Sequence, residues 1–164
     1  MTDQGVISAE APLALPSDAE YALLSNSAGT ASFRLQVTNA NWALSGRVDP
    51  RGLHMLGKTT PWYFEVPQGV TSFALWLSSD APGETAKATL YAPDGARVAA
   101  FLTARKTTDA QQISVPPGQA GLWKIVVEPA DVGVIDDIYV KPGPELPGYF
   151  SLVPEQALGV VAAE

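Results

Sequence analysis

The chain has 164 residues, of which 46% are hydrophobic and only 16% charged, with no cysteine and a net charge of −7. That size suits one domain able to bury a core without a structural metal, and the missing cysteine excludes disulfide stapling and thiolate chemistry. An acidic balance without a basic patch repels phosphate backbones and anionic lipids, so nucleic-acid and membrane partners are not expected.

No run approaches the ~18 apolar residues of a membrane span, and Met1-Thr2-Asp3-Gln4-Gly5 lacks the basic and apolar regions of a signal peptide. Fourteen glycines and fourteen prolines interrupt the chain roughly every six residues, a spacing that fits strands joined by turns better than helices.

In chain order, residues 1–20 carry Pro12, Pro16 and Asp18 among small residues and read as a surface arm. Phe33, Leu35 and Val37 alternate with Arg34, Gln36 and Thr38, which predicts a half-buried strand. Trp62-Tyr63-Phe64-Glu65-Val66 predicts another, closed by a Pro67-Gln68-Gly69 turn. In Thr71 to Ser78, Phe73, Leu75 and Leu77 share one face and Trp76 falls on the other, because side chains alternate along a strand. Ala86 to Tyr91 alternates likewise, and Pro93-Asp94-Gly95 predicts a hairpin into the next strand.

In that return strand, period two places Val98, Ala100 and Leu102 on one face, with Phe101 among Arg97, Thr103 and Arg105 on the other. Val115-Pro116-Pro117-Gly118 is a second corner before Gly121 to Val127, where Trp123, Ile125 and Val127 point toward a core and Lys124 and Glu128 away from it. A last strand is predicted over Val132 to Val140, stopped by Lys141-Pro142-Gly143-Pro144. The expected organisation is an arm or linker over 1–20, one antiparallel, jelly-roll-like all-β sandwich over 21–158, and a tail over 159–164.

Candidate chemistry is sparse. His54 is the only histidine, so no multi-histidine metal centre exists, and nothing beside it resembles a nucleophile elbow. Glycosidase chemistry needs two carboxylates flanking a sugar; Glu65, Glu84, Asp80 and Asp109 are candidates, yet all sit in or beside turns with no visible pairing. Asp136 and Asp137 face opposite sides of a strand, so at most one points inward, where it needs a partner or a cation such as calcium; at a strand end both simply face water.

The aromatics carry the sharpest functional expectation. Trp76, Tyr91, Phe101 and Tyr63 all fall opposite the aliphatic stripes, and rings exposed together form a platform for the C–H faces of pyranose sugars. The alternative is that the N-terminal segment covers this face and makes it a second small core.

Ile135-Asp136-Asp137-Ile138-Tyr139-Val140, preceded by Pro93-Asp94-Gly95 and by Gly121-Leu122-Trp123-Lys124-Ile125-Val126-Val127, resembles the galactose-binding-like jelly rolls of bacterial carbohydrate-active enzymes, over about residues 60 to 140. The resemblance implies a non-catalytic accessory module attached to a glycoside hydrolase or other larger secreted or cell-surface protein, binding a polysaccharide and often holding a structural calcium. The competing expectation is a structural or inter-module protein-interaction domain without glycan affinity, for which the low charge density speaks.

Overall fold

The computed structural model describes residues 37, 40–57 and 60–158. The arm expected over 1–20, the strand expected at Phe33–Val37 and the tail over 159–164 lie outside the described residues, apart from Val37 itself. Within them run ten strands: β1 (Leu44–Ser45), β2 (Leu53–Met55), β3 (Trp62–Val66), β4 (Ser72–Ser79), β5 (Ala86–Tyr91), β6 (Arg97–Leu102), β7 (Thr108–Ser114), β8 (Gly121–Pro129), β9 (Ile138–Pro142) and β10 (Tyr149–Phe150). A single 3-10 turn at Pro154–Gln156 follows.

Strands β2 to β9 form two four-stranded sheets, ordered β2-β9-β4-β7 and β3-β8-β5-β6, while β1 pairs with β10. Every strand pairing is antiparallel. The partners nest: β5 with β6, β4 with β7, β3 with β8, β2 with β9 and β1 with β10. Such nesting is one long hairpin whose tip is the β5–β6 turn, rolled so that β4 meets β9 and β5 meets β8. This is the jelly-roll arrangement of two packed antiparallel sheets, as the strand patterning predicts.

The turns are built from the residues that punctuate the sequence. Val70 N–H donates to the Pro67 carbonyl at 3.2 Å across a turn where Gly69 takes φ +84°. At the hairpin tip Gly95 N–H donates to Ala92 at 2.9 Å, with Gly95 also left-handed, a conformation glycine adopts without a Cβ penalty.

The inward faces interdigitate as the alternation in β3, β4, β5 and β8 requires. Val66, Phe73, Leu75, Leu77, Leu90 and Trp123 are fully buried. Edge-to-face ring contacts run from Trp123 to Phe73 (5.3 Å), Phe73 to Phe64 (6.0 Å) and Phe64 to Phe150 (5.6 Å). They cross between the two sheets and take in β10, each adding about 0.5–1.5 kcal/mol to area burial. Trp123 Nε1 donates to the Gln119 carbonyl at 2.8 Å, so its one polar atom is satisfied.

Two expectations require correction, and one strand was not foreseen. Phe101 is 2% exposed and belongs to the core, not to the outer face. The cause is a register shift: Tyr91 pairs with Arg97, but Leu90 pairs with Ala99, so Val98 is an extra residue in β6. A bulge of this kind breaks the period of two, and everything after it changes side. Phe101 then lies opposite small Ala88, and Leu102, not Phe101, is turned outward at 43% exposure.

Second, the last sandwich strand is Ile138–Pro142, not Val132 to Val140; Val134 makes only an isolated bridge to Glu84. Pro142 is tolerated because β2 pairs with β9 only as far as Val140, which leaves Pro142 paired on the β4 side alone. The unforeseen strand is β7 (Thr108-Asp109-Ala110-Gln111-Gln112-Ile113-Ser114), whose only fully buried residue is Ile113, so composition gave no apolar stripe to read. Its inward-side residues meet the border of β6 instead: Asp109 Oδ2 accepts from Leu102 N–H at 2.9 Å, and Gln111 Nε2 donates to the Ala100 carbonyl at 2.7 Å.

The register at β6 is testable by its energetics. Phe101→Ala should lower the unfolding free energy by about 3–5 kcal/mol, as for a buried phenylalanine, and Leu102→Ala by less than about 1 kcal/mol, as for a surface site. Urea unfolding followed by tryptophan fluorescence reads both, and equal losses would contradict the bulge.

Candidate functional site

The four aromatics expected on one platform are divided. Tyr63 and Tyr91 lie on the outer face of sheet β3-β8-β5-β6, Trp76 on the outer face of the opposite sheet, and Phe101 inside. Trp76 stands between Lys141 on β9 and Ala110 on β7, with Lys141 Nζ 5.8 Å from its ring centre.

Tyr63 and Tyr91 are brought together by register. Both pair with Lys124 on β8, one from each side. The two phenol rings therefore rise from strands two steps apart, a separation of roughly 10 Å at the usual strand spacing. Lys124 Nζ sits 4.6 Å from the Tyr91 ring centre, a cation–π contact. Tyr63, Leu122, Lys124, Tyr91, Pro93 and Gly95 line a shallow cleft of about 190 Å³.

The walls of this cleft are braced. Gln119, in the β7–β8 loop, donates from Nε2 to Asp94 Oδ2 at 3.0 Å, while its carbonyl receives the buried Trp123 indole. Asp94 Oδ1 accepts from Ala96 N–H at 2.8 Å and holds the hairpin tip. On the opposite side, Tyr63 exchanges two backbone hydrogen bonds with Ser151, of 2.9 and 2.8 Å, which ties its strand to the segment after β10. Glu65 projects from the same face, paired across the ladder with Leu122, and partial burial raises its carboxyl above the ordinary range.

Sheet β2-β9-β4-β7 carries a polar cluster on its outer face. Arg51 binds Asp49 through Nε (3.1 Å) and Nη2 (2.9 Å), and Asp80 through Nη1 (2.9 Å). Its guanidinium lies 4.3 Å from the centre of the Tyr139 ring, and His54 stacks on that ring at 4.5 Å and 8°. Tyr139 OH donates to Asp80 Oδ2 at 3.2 Å, and His54 Nε2 lies 2.7 Å from Asp137 Oδ1. Tyr139 is consequently 1% exposed although it faces outward from the sheet. Arg51 holds the Asp49 carboxyl at about 2, while burial first and Asp80 second push the Tyr139 hydroxyl to about 12.

Because Arg51, Asp49, Asp80, His54, Asp137 and Tyr139 are all engaged with one another, this cluster is a clasp between the β1–β2 turn, β9 and the loop after β4. Gly52, at φ +119°, permits the turn: a Cβ there would stand 2.4 Å from the Val140 carbonyl oxygen.

The remaining carboxylates are dispersed. Asp80 belongs to the clasp, Asp109 caps the border of β6, and Glu84 accepts from Ala81 N–H within its own loop at 2.9 Å. Asp136 and Asp137 precede β9, at a strand end; Asp136 Oδ1 accepts from Asp137 N–H at 3.2 Å, and Asp137 holds His54. No three acidic or histidine side chains converge as metal ligands among the described residues.

Sequence reasoning placed Tyr63 and Tyr91 correctly opposite the aliphatic stripes and turned Lys124 away from the core. It missed Arg51 and Tyr139, whose long-range contacts span 29 and 88 positions along the chain, from Arg51 to Asp80 and to Tyr139. The local signal was the Asp49-Pro50-Arg51-Gly52 turn, which says nothing of Asp80.

No family model, curated protein or solved structure matches the chain. No helix among the described residues is long and apolar enough to cross a membrane.

The clasp makes a pH prediction. A carboxyl held at about 2 in the folded state, against 3.8 ordinarily, adds stability that is complete above pH 4 and is lost as the pH falls toward 2. The urea midpoint of the wild-type chain should therefore drop more between pH 4 and pH 2 than that of Arg51→Met, which lacks the partner; parallel drops would remove Arg51 as the cause.

Proposed function

We propose that this domain is a non-catalytic carbohydrate-binding module that holds a polysaccharide on the outer face of sheet β3-β8-β5-β6, with Tyr63 and Tyr91 as the stacking rings. The observation that carries the reading is the register that sets these two tyrosines on either side of Lys124 in one cleft. Sugar rings present apolar C–H faces and a belt of hydroxyls, so they suit a surface offering rings for the faces and charged groups for the hydroxyls. Lys124 supplies three donors in a cleft braced by Gln119 before any ligand arrives, which limits the ordering cost of binding, and Glu65 offers an acceptor one row away on the same face.

The jelly-roll topology and the resemblance drawn from the β8 and β9 sequences support the same reading, and with it attachment to a secreted or cell-surface hydrolase. Non-catalytic action is supported by the dispersal of the candidate carboxylates: Asp80, Asp109 and Glu84 are each engaged with their own part of the fold. A structural calcium at Asp136 and Asp137 would compete with His54 for Asp137. Trp76 and Phe101 have no part in this cleft.

A second reading, a domain that packs against a neighbouring module, is favoured by Leu56, Val132 and Val134, which are 62 to 63% exposed around β2, β9 and the loop before β9.

Retention in native gels cast with a panel of soluble polysaccharides separates the two. The stacking reading expects retention by at least one polysaccharide, reduced about tenfold by Tyr63→Ala or Tyr91→Ala, an amount matching ~1.4 kcal/mol per ring. Trp76→Ala should leave it unchanged. Sedimentation as a stable oligomer, without retention on any polysaccharide, would instead select the packing domain.

A further inference from the structure

The registers of sheet β3-β8-β5-β6 extend the tyrosine pair into a longer row. Tyr63 on β3, Lys124 on β8, Tyr91 on β5 and Arg97 on β6 stand side by side across four strands. Ring-bearing and cationic positions alternate at every strand step of about 4.8 Å, so the two tyrosines are rooted roughly 10 Å apart in the sheet, and so are the two cationic residues. One step is close to the advance of one pyranose along an extended sugar chain. A chain lying across the strands would therefore set every second sugar on a tyrosine and the sugars between them beside Lys124 and Arg97.

Resting on the carbohydrate-binding reading above, we propose that the polysaccharide is acidic, with a carboxylate or sulfate recurring on alternate sugars that pair with Lys124 and Arg97. The bulge at Val98 is part of this geometry, because it is what leaves Arg97 opposite Tyr91 on the outer face while Ala99 and Phe101 turn inward.

Several observations favour anionic sugars over neutral ones. Among the described residues the ion pairs involve Arg51, His54 and Lys87, and neither Lys124 nor Arg97. Arg97 is exposed, and its planar fork of donors matches the two oxygens of a carboxylate or sulfate. Lys124 is held only over the Tyr91 ring, a contact worth little beside a charge-assisted hydrogen bond.

The acids near the row are few. Glu65 lies one row away, opposite Leu122, and Asp94 is engaged by Ala96 and Gln119. On the far side of the row come Val126, Thr89 and Ala100, and only beyond them Glu128 paired with Lys87. The chain's net charge of −7 opposes a polyanion at low salt, but at 0.1 M salt charges more than about 10 Å away are largely screened, so the attraction rests on contact at these two cations.

The test is a glycan array in which each uronate-bearing or sulfated oligosaccharide is printed beside its carboxyl-reduced or desulfated counterpart, followed by calorimetric titration with the best-bound member. The wild-type chain should bind acidic members and lose about tenfold or more in affinity for their neutralised counterparts. Arg97→Gln and Lys124→Gln should each weaken binding about five- to tenfold, and Arg97→Lys should retain more than Arg97→Gln because it keeps the charge. Both positions lie on the outer face, and unchanged circular dichroism and thermal midpoints would confirm that folding is intact.

Preference for uronates or for sulfates would each support the inference and identify the anion. Equal binding of acidic and neutralised partners, unaffected by Arg97→Gln but lost in Tyr63→Ala, would overturn the acidic ligand and leave carbohydrate binding standing. Silence of the folded protein across the whole array would overturn both.

Discussion

The architecture depends on one constraint, the nested antiparallel pairing around the β5–β6 turn. Once Pro93-Asp94-Gly95 reverses the chain, the distance of each strand from that tip determines its partner, out to β1 and β10. Rolling this ladder closes it into two sheets, and the aromatic contacts from Trp123 through Phe73 and Phe64 to Phe150 fill the space between them. The fold is thus a long-range object: β2 finds β9 across more than eighty residues, and no segment short of the whole can bury its inward face.

The same constraint builds the cleft. Tyr63 and Tyr91 are 28 positions apart in sequence, yet both meet Lys124, because β8 lies between β3 and β5. The cleft borders the tip, where Gln119 couples the hairpin turn to the loop that supports Trp123. Core packing and the shape of the outer face are therefore linked through one residue, by its side chain on one side and its main-chain carbonyl on the other.

What could be read from the sequence was whatever obeys a period of two. The inward faces of β3, β4, β5 and β8 were legible because Phe, Leu, Val, Ile, Trp and, in β5, Ala recur there at every second position. The first failure came at Val98, where a single unpaired residue reverses the parity of β6; it can be seen only by comparing two strands, since neither strand alone records which residue faces which. The second failure was β7, whose inward positions hold Asp109 and Gln111 instead of apolar residues. The outer clasp was beyond local reading, for Arg51, Asp80 and Tyr139 are joined by topology and not by spacing. Trp76 shows the remaining gap: alternation correctly turned it away from the aliphatic stripe, but cannot say to which of two sheets a strand belongs.

The polar side chains of β7 have a meaning beyond the gap they left in the pattern. By taking up the Leu102 amide and the Ala100 carbonyl, Asp109 and Gln111 occupy hydrogen-bonding groups that a border strand would otherwise offer to any passing chain. A molecule finished in this way resists growing into ribbons by strand addition along that border, so copies held close together on a shared surface can remain separate there.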